Sequence, residues 1–251
     1  MHPHVTAHPI RVLLALFALL AATYSVVTPP FETPDEIWHY AVIQQIASGQ
    51  GLPVSGPNTE AAWQQEGTQG PLYYLLAAAA TVWVDQGDRN VQIHHADEHW
   101  PWRGPFLALH LARFVSVALG MVTVWAVYQT IALILGPGWG LIAAAAIALI
   151  PQFLFISAAA SNDNAVTAFS ALTLWQVTAL ALAPAAALTP VGLRRRFVRI
   201  GVMLGLALIS KLSALPLVGV VGLAVLGAAW RARNGRILPA AALWIGLPAA
   251  L

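Results

Sequence analysis

The segment Arg194–Arg236 reads RRRFVRIGVMLGLALISKLSALPLVGVVGLAVLGAAWRARNGR, and it decides the topology of the chain. Its apolar part, Ile200–Trp230, is too long for one comfortable membrane helix and too short for two full ones, since a span needs about 20 residues. Arginine clusters stand at both ends, and the positive-inside rule places both in the cytoplasm. The chain must therefore cross and return, which predicts two short or tilted spans that reverse at Ser210–Ser213.

The composition of the whole chain is that of an integral membrane protein. Hydrophobic residues make up 59% of the 251 residues and charged residues only 9%, whereas a soluble domain carries about 25% charged residues. The chain has no cysteine, which excludes disulfide and thiolate chemistry. Its net charge is only +2 and its basic residues are clustered, which favours topology signals over nucleic-acid binding.

The apolar segments predict an all-α, polytopic helical bundle of about seven spans. The first, Val12–Val27, is interpreted as a retained signal-anchor helix because no small-x-small cleavage pattern follows it, which places residues 1–11 in the cytoplasm as a tail. The other segments are Phe106–Leu135, Gly138–Ala160, Ala165–Pro184, Ile200–Ile209, Leu212–Trp230 and Ile237–Leu251. We expect residues 106–251 to form the transmembrane bundle of a single domain, 1–251. The last segment stops without a polar anchor, so we expect a piece of a longer protein.

The acidic residues all fall in segments that this topology places outside the cytoplasm. They are Glu32, Asp35, Glu36, Glu60, Glu66, Asp85, Asp88, Asp97, Glu98 and Asp163. Most lie in a large first extracytoplasmic loop, residues 28–105, for which the pattern predicts amphipathic helices near 35–48 and 71–84, the second either lying in the membrane interface or packed on the bundle. A catalytic or cation-binding outer face explains this distribution. The fact that the large polar loop lies outside explains it equally well.

The stretch Thr33-Pro34-Asp35-Glu36 opens the first helix of this loop. Thr33 fits the N-cap position and Glu36, three residues later, closes a capping box. That interpretation accounts for Glu36 and only partly for Asp35. His39 lies one turn after Asp35 on the same helical face, where an imidazole beside a carboxylate can tune a general base or hold a metal. The residues alone leave a capping role and a chemical role equally open for the pair.

A second group of polar residues precedes the interfacial helix. Glu66 and Gln69 lie at the predicted membrane boundary, just before Tyr73-Tyr74, and we interpret the two tyrosines as interfacial anchors. Carboxylate and imidazole side chains are also metal ligands. Asp35, His39 and Glu66 are therefore the candidate ligands of a divalent metal.

Three more charged residues lie at predicted outer ends of helices. Asp163 falls in the turn Ser161–Asn164, which serves either as a site element or as a plain N-cap for the next helix. Arg113 and Lys211 either snorkel to the membrane surface or bind an anionic phosphate. The pattern does not separate these alternatives.

Taken in order, these motifs resemble the GT-C superfamily of membrane glycosyltransferases. The resemblance is strongest to the family of protein O-mannosyltransferases and bacterial aminoarabinose and related sugar transferases, and it covers nearly the whole chain. The matching elements are a first span, Pro34-Asp35-Glu36 with His39, Gln69-Gly-Pro-Leu-Tyr-Tyr74, Ala112-Arg113, Pro151 before the turn with Asp163, and Gly205-Leu-Ala-Leu-Ile-Ser-Lys211. The chain departs from the family pattern where Gly70 replaces a proline and Thr68 replaces a histidine.

The resemblance implies inverting transfer of a sugar from a polyprenyl-phosphate donor to a lipid, glycan or protein acceptor at the extracytoplasmic face of a bacterial-type plasma membrane. An acidic residue of the first outer loop is the general base, which assigns this role to Asp35, or to Glu36 if the pair is offset. Arg113 and Lys211 stabilise the leaving phosphate, with a divalent metal as a further candidate. The remaining polar site residues implied are His39, Glu66, Gln69 and Asp163.

Two other classes of protein fit a polytopic membrane chain. A transporter or lipid-linked-glycan flippase places its charged residues within the bundle near the membrane midplane. Here the charges fall at outer helix ends and in the outer loop, which disfavours transport. A non-catalytic membrane scaffold would keep the fold and lose the chemistry.

Overall fold

The computed structural model describes residues 8–54, 56, 61, 63–86 and 99–250, and the regular elements of this part of the chain are helices. The predicted all-α class is confirmed. In chain order the α-helices are α1 (His8–Val27), α2 (Glu36–Ala47), α3 (Leu72–Thr81), α4 (Gly104–Leu135), α5 (Pro137–Ala148), α6 (Pro151–Ser157), α7 (Asp163–Ala181), α8 (Pro190–Leu208), α9 (Pro216–Arg231) and α10 (Ile237–Ala250). Short 3₁₀ helices cover Ala185–Ala187 and Leu212–Ala214. Most of the predicted tail 1–11 and parts of the predicted loop 28–105 lie outside the described residues.

The long helices have the length and the apolar surface that a membrane requires. Within the described ranges, three are long and apolar enough to cross it: Pro9–Val27, Gly104–Leu135 and Leu212–Arg231. Large aliphatic side chains point outward on them, as with Leu19 (65% exposed) and Leu223 (71% exposed). Such surfaces are unfavourable in water and suit lipid contact. These helices confirm an integral membrane protein. The sequence predicts seven spans, whereas three helices of the described residues have the length and apolarity of a span.

The helices α5 and α6 form a bent pair where the sequence predicts the single span Gly138–Ala160. Their axes differ by 71°, and together they count as a fourth span if a broken one is allowed. The break has a local cause at Pro151, which disfavours the helical conformation in the residue before it. Ile150 is accordingly extended, with φ −70° and ψ 118°.

The contacts of the chain divide it into two compact units. The loop unit comprises Ala15–Met121 and Leu149–Ala165. The arginine unit comprises Val122–Ala148 and the described residues of Met1–Leu14 and Val166–Leu251. The single domain predicted over residues 1–251 stays a prediction.

In the loop unit, α2 and α3 pack together at the stretches for which the sequence predicts helices near 35–48 and 71–84. The end of α2 is set by Gly49, whose φ of +77° is a left-handed conformation that favours glycine. The N–H of Gln50 then donates to the carbonyl of Gln45, which is the closing bond of a Schellman motif. The buried face of α2 includes Tyr40 and Ile43, neither of which is exposed.

In the arginine unit, α8 packs closely against α10 through two glycines one turn apart. A Cβ added at Gly201 would lie 2.5 Å from the carbonyl oxygen of Ile245, and one at Gly205 would lie 2.9 Å from the Cα of Ala249. The sequence GVMLG therefore acts as a small-xxx-small contact, which lets two helix backbones approach each other. After α8 the helix breaks across Ser210–Ser213, the position of the predicted reversal.

We expect Gly201→Ala to lower the free energy of unfolding by about 1–3 kcal/mol, because the added methyl group overpacks the α8–α10 contact. Gly222→Ala is the matched control, since nothing lies within 4 Å of a Cβ at that position in α9. The control should be neutral or stabilising, because alanine is a better helix former than glycine. Unfolding of both variants in detergent, followed by tryptophan fluorescence, checks the difference.

Candidate functional site

The centre of the loop unit is a buried ion pair between Arg113 of α4 and Glu36 of α2. The pair is bidentate: Arg113 Nε lies 2.8 Å from Glu36 Oε1, and Nη2 lies 2.6 Å from Oε2. Both side chains are 0% exposed. A charge buried this deeply is tolerated only when it is paired and fully hydrogen-bonded.

Glu36 accepts four hydrogen bonds, which is the full capacity of a carboxylate. Two come from Arg113, and the other two come from the backbone N–H groups of Phe31 (3.0 Å) and Ala160 (2.8 Å). The predicted capping box is therefore wrong, because the Glu36 side chain turns away from Thr33. Among the described residues Thr33 Oγ1 has no partner. A saturated, buried carboxylate also has no oxygen left for an acceptor, so the structure argues against Glu36 as the base.

Arg113 likewise uses all five of its N–H donors within the protein. Beyond the two bonds to Glu36, its remaining N–H groups donate to backbone carbonyls at and just after the end of α1. These are the carbonyls of Ser25 (2.7 Å), Thr28 (2.8 Å) and Pro29 (3.0 Å). The predicted phosphate contact of Arg113 is therefore corrected: the guanidinium joins the end of α1 to the start of α2 and has no donor left for a phosphate.

The loop that this pair holds contains backbone strain. Among the described residues three non-glycine residues have positive φ, and two of them, Phe31 (65°) and Asp35 (57°), lie here. The left-handed conformation is unfavourable for an aromatic residue and tolerated by aspartate. Phe31 keeps it because its ring packs on Tyr40 and Phe106 and its N–H is bound by Glu36. Strain of this kind concentrates at functional sites.

Asp35 occupies the N-cap position of α2 with no side-chain capping bond. Its carboxylate is exposed, and Oδ1 lies 3.4 Å from Nε2 of Gln65. Two neighbouring carboxylates thus have opposite environments: that of Glu36 is buried and saturated, and that of Asp35 reaches the surface. Since Asp35 lies before the helix in a left-handed conformation, the predicted shared helical face with His39 does not apply.

The His39 ring lies among residues from three segments of the loop unit. Its Nδ1 atom is 2.8 Å from the hydroxyl of Tyr74 and 3.6 Å from Oε2 of Glu66. The Tyr74 hydroxyl in turn lies 3.5 Å from Glu66 Oε2. His39 Nε2 is 3.5 Å from the hydroxyl of Ser161, in the turn after α6. His39 and Glu66, both predicted site residues, are therefore brought together.

These groups can be arranged as one directed chain of hydrogen bonds. Ser161 O–H donates to His39 Nε2, His39 Nδ1–H donates to the Tyr74 oxygen, and Tyr74 O–H donates to Glu66. Burial raises the pKa of the Tyr74 hydroxyl above its ordinary value, and the negative charge of Glu66 raises it further. Tyr74 therefore stays a proton donor at physiological pH.

Asp163 lies at the Ser161 end of this chain of hydrogen bonds. It is the first residue of α7, half-buried, and its N–H donates to the Ser161 hydroxyl at 3.3 Å. Asn164 Nδ2 donates to the carbonyls of Ile156 and Ala159, near the end of α6. The predicted turn Ser161–Asn164 thus both ends one helix and begins the next, with Ser161 facing His39.

Tyr73 and Tyr74 do not serve as the interfacial anchors that the sequence suggests. Their exposed fractions are 0% and 1%, and Tyr73 donates to the carbonyl of Ala112 at 3.3 Å and contacts the Ser116 hydroxyl at 2.9 Å. Tyrosines can occupy a helical site of this kind because the ring packs while the hydroxyl finds a partner. The exposed apolar residues of α3 are instead Leu75 and Leu76.

Two other predicted residues lie outside this chain of hydrogen bonds. Gln69 is half-buried in the turn before α3, where its N–H donates to the Glu66 carbonyl at 3.0 Å. Lys211 belongs to the arginine unit and precedes the 3₁₀ helix Leu212–Ala214. Their predicted contacts with substrate stay predictions.

The predicted metal ligands do not fit a metal centre. In the described part of the chain, no three His, Asp or Glu side chains come together as a metal site. Asp35 pairs with Gln65 and faces the surface, whereas His39 and Glu66 are buried and joined through Tyr74.

Sequence reasoning missed the contributions of Tyr74, Ser161 and Gln65. A signal does exist for Arg113, which is the tenth residue of a long apolar helix, since a charge within such a helix faces the protein interior and needs a partner. No comparable signal exists for Tyr74, because its partner His39 is 35 residues away in the chain.

We expect Tyr74→Phe to lower the free energy of unfolding by about 1–3 kcal/mol, because His39 and Glu66 would lose their shared hydroxyl while staying buried. Tyr128→Phe, which removes a hydroxyl from α4 outside this network, is the control and should change stability by less than about 0.5 kcal/mol. Chemical unfolding in mixed micelles measures both. Equal effects in the two variants would contradict a stabilising role for the network.

The fold is similar to that of a solved structure. The structure of the S. cerevisiae protein O-mannosyltransferase Pmt1-Pmt2 complex bound to the sugar donor matches with a TM-score of 0.71 at 22% identity. The match covers 98% of this chain and 33% of that chain, so the present sequence corresponds to about a third of its relative. At this identity the match establishes the fold.

The comparison at the level of families is more direct. No curated protein sequence matches the chain. The family described as dolichyl-phosphate-mannose-protein mannosyltransferase matches residues 109–251, which is more than half of the sequence. The chain therefore belongs to the dolichyl-phosphate-mannose-protein mannosyltransferase family, a family of membrane glycosyltransferases.

Proposed function

We propose that this chain catalyses, or forms part of an enzyme that catalyses, transfer of a sugar from a polyprenyl-phosphate donor to an acceptor hydroxyl, with Asp35 as the general base. The observation that carries the proposal is the contrast between two adjacent carboxylates. Glu36 is locked in a buried ion pair with Arg113, and this pair holds Asp35 exposed in a strained conformation. Family membership supports the reaction class.

In the proposed reaction Asp35 takes the proton from the acceptor hydroxyl. The acceptor oxygen then forms a bond to the anomeric carbon of the sugar while the bond from that carbon to the phosphate oxygen breaks. The phosphate leaves with the electron pair as polyprenyl phosphate, and attack from the opposite side inverts the anomeric configuration. Gln65 is positioned to orient the base through its bond to Asp35.

The remaining predicted residues take supporting roles in this proposal. Gln65, which contacts Asp35, adjoins Glu66 in the sequence, and Glu66, His39 and Ser161 are the proposed polar contacts of the acceptor or sugar. Asp163 and Gln69 belong to the same polar surroundings. Lys211 is the proposed contact of the donor phosphate, a role that rests on the family resemblance alone.

The proposal includes an orientation in a bacterial-type plasma membrane. The N-terminus and both arginine clusters face the cytoplasm, and Asp35 acts on the extracytoplasmic side. The positive-inside rule supports this orientation. The proposed donor is a lipid-borne sugar, because nucleotide sugars are cytoplasmic and Asp35 is proposed to act on the opposite side of the membrane.

The test is a transfer assay on the natural reading frame that contains residues 1–251, reconstituted in liposomes with native membrane lipids, glycans and membrane proteins supplied as acceptors. The proposal expects consumption of a labelled polyprenyl-phosphate sugar and a product whose anomeric configuration, read by NMR, is inverted. Transfer from a nucleotide sugar alone, or retention of configuration, would contradict it. Movement of the labelled lipid between leaflets without consumption would indicate a flippase, and neither movement nor consumption would indicate a scaffold.

A further inference from the structure

The arginine unit contains a cavity that the sugar-transfer reaction does not use. The cavity has a volume of about 460 Å³ and lies where α8 and α10 begin. Its wall combines Arg194, Arg236 and the amide of Asn234 with the Trp244 ring and aliphatic side chains such as Leu193 and Ile237. Ligand cavities of this size commonly combine an apolar wall with a few polar groups.

The cations of this unit have no acidic counterpart within it. Every Asp and Glu of the sequence falls outside the arginine unit. Arg196 and Arg231 contact carbonyls at the end of α7, at 3.0 Å from Ala179 and 3.0 Å from Leu180. Arg194 and Arg236 are exposed and line the cavity. The positive charge of Arg194 and Arg236 therefore attracts anions from outside the unit.

Arg194 is held in an orientation that suits an anion. Its guanidinium carbon lies 4.1 Å from the centre of the Trp244 ring. A guanidinium stacked on a ring in this way keeps its N–H groups in its own plane, where they can bind phosphate oxygens in pairs. The first turns of α8 and α10 add the positive ends of two helix dipoles.

A second hollow on the same helix extends the basic surface. It has a volume of about 470 Å³ and is lined by Val191, Arg194, Arg195, Val198 and Arg199. Arg194 thus belongs to both hollows. The pattern of arginine next to aliphatic side chains repeats, which suits a molecule that is anionic at one end and apolar at the other.

We propose that the cavity between the starts of α8 and α10 binds an anionic phospholipid, with the headgroup phosphate on Arg194 and Arg236 and an acyl chain on the aliphatic wall. A free phosphate would use the arginines and leave the apolar wall exposed. The predicted cytoplasmic location of both arginine clusters supports a lipid, since the cytoplasmic leaflet carries the anionic headgroups. Arg194 and Arg236 take no part in the chemistry proposed for Asp35.

The test compares association of phosphatidylglycerol and phosphatidylcholine with the purified protein by native mass spectrometry. The wild type should prefer phosphatidylglycerol, and Arg194→Gln/Arg236→Gln should reduce that preference by roughly 30-fold, about fivefold for each arginine. Ala240→Phe, which fills the cavity and keeps both charges, should reduce it as well. Arg233→Gln removes a charge from the same cluster outside the cavity wall and should leave the preference unchanged.

Three results would overturn the proposal. An equal loss in Arg233→Gln would indicate diffuse attraction by the whole cluster. Full displacement of the lipid by millimolar inorganic phosphate would indicate a phosphate site without a lipid component. Unchanged preference in Ala240→Phe would place the lipid elsewhere. Ala240→Phe keeps every charge and tests the cavity, whereas Arg194→Gln/Arg236→Gln keeps the cavity and tests the charges.

Discussion

Replacing Arg113 by glutamine is expected to lower the free energy of unfolding by about 3–5 kcal/mol. The substitution leaves the Glu36 carboxylate buried without its countercharge, and it removes the donors to the carbonyls of Ser25, Thr28 and Pro29. The end of α1 and the start of α2 would lose the side chain that joins them. Unfolding in mixed micelles, followed by tryptophan fluorescence, measures the loss.

The design of this experiment separates the ion pair from the loss of a charge in general. Arg103→Gln is the matched control, since Arg103 is exposed just before α4 and its loss should change stability by less than about 0.5 kcal/mol. The double variant Glu36→Gln/Arg113→Gln should be less destabilised than the sum of its single variants, by about 0.5–3 kcal/mol, because it leaves no isolated charge. An Arg113→Gln protein as stable as the Arg103→Gln control would refute the structural role.

The helices of this fold could be predicted where their length and composition are decided locally. The extent of α4 and the break across Ser210–Ser213 follow from apolar length and arginine placement, and both agree with the structure. The sequence pattern also predicts a single span over Gly138–Ala160, although Pro151 falls inside it. A proline inside an apolar run interrupts it, and here the axes bend by 71°.

The candidate site could be predicted only as a set of residues. Motifs identify Asp35, His39, Glu66 and Asp163, yet the partners of these residues come from distant positions in the chain. Glu36 and Arg113 are 77 residues apart, and no local pattern links them. A capping box was therefore the natural interpretation of Glu36. Tertiary contacts overrode it, because a buried arginine binds a carboxylate more strongly than a helix N-terminus does.

The left-handed conformation of Asp35 is another feature that no local signal reveals. A Thr-Pro-Asp-Glu stretch favours a regular helix start, which would place Asp35 inside the helix with His39 on its face. The backbone instead turns at Asp35, with φ 57°. As a result the Glu36 carboxylate is buried against Arg113, whereas the Asp35 carboxylate lies at the surface.

Asp35→Asn is expected to lower the rate of sugar transfer by about 10²–10⁴-fold, the usual contribution of a general base. Asparagine has the same shape as aspartate and tolerates the left-handed conformation equally well. Its side-chain oxygen can still accept from Gln65. The variant should therefore fold as the wild type does and lose only the ability to take a proton. Glu32→Gln, at an exposed carboxylate three residues earlier, is the control and should keep full activity.

The most direct test of the division of labour between Asp35 and Glu36 is the transfer rate per folded molecule of Asp35→Asn. The rate is measured with a labelled polyprenyl-phosphate sugar in liposomes and divided by the amount of folded protein. The unfolding midpoint of the variant is compared with that of the wild type. Asp35→Asn should lose at least about 100-fold in transfer rate, with the unfolding midpoint unchanged and Glu32→Gln at the wild-type rate. A folded Asp35→Asn protein that transfers sugar at the wild-type rate would contradict the role of Asp35 as the general base.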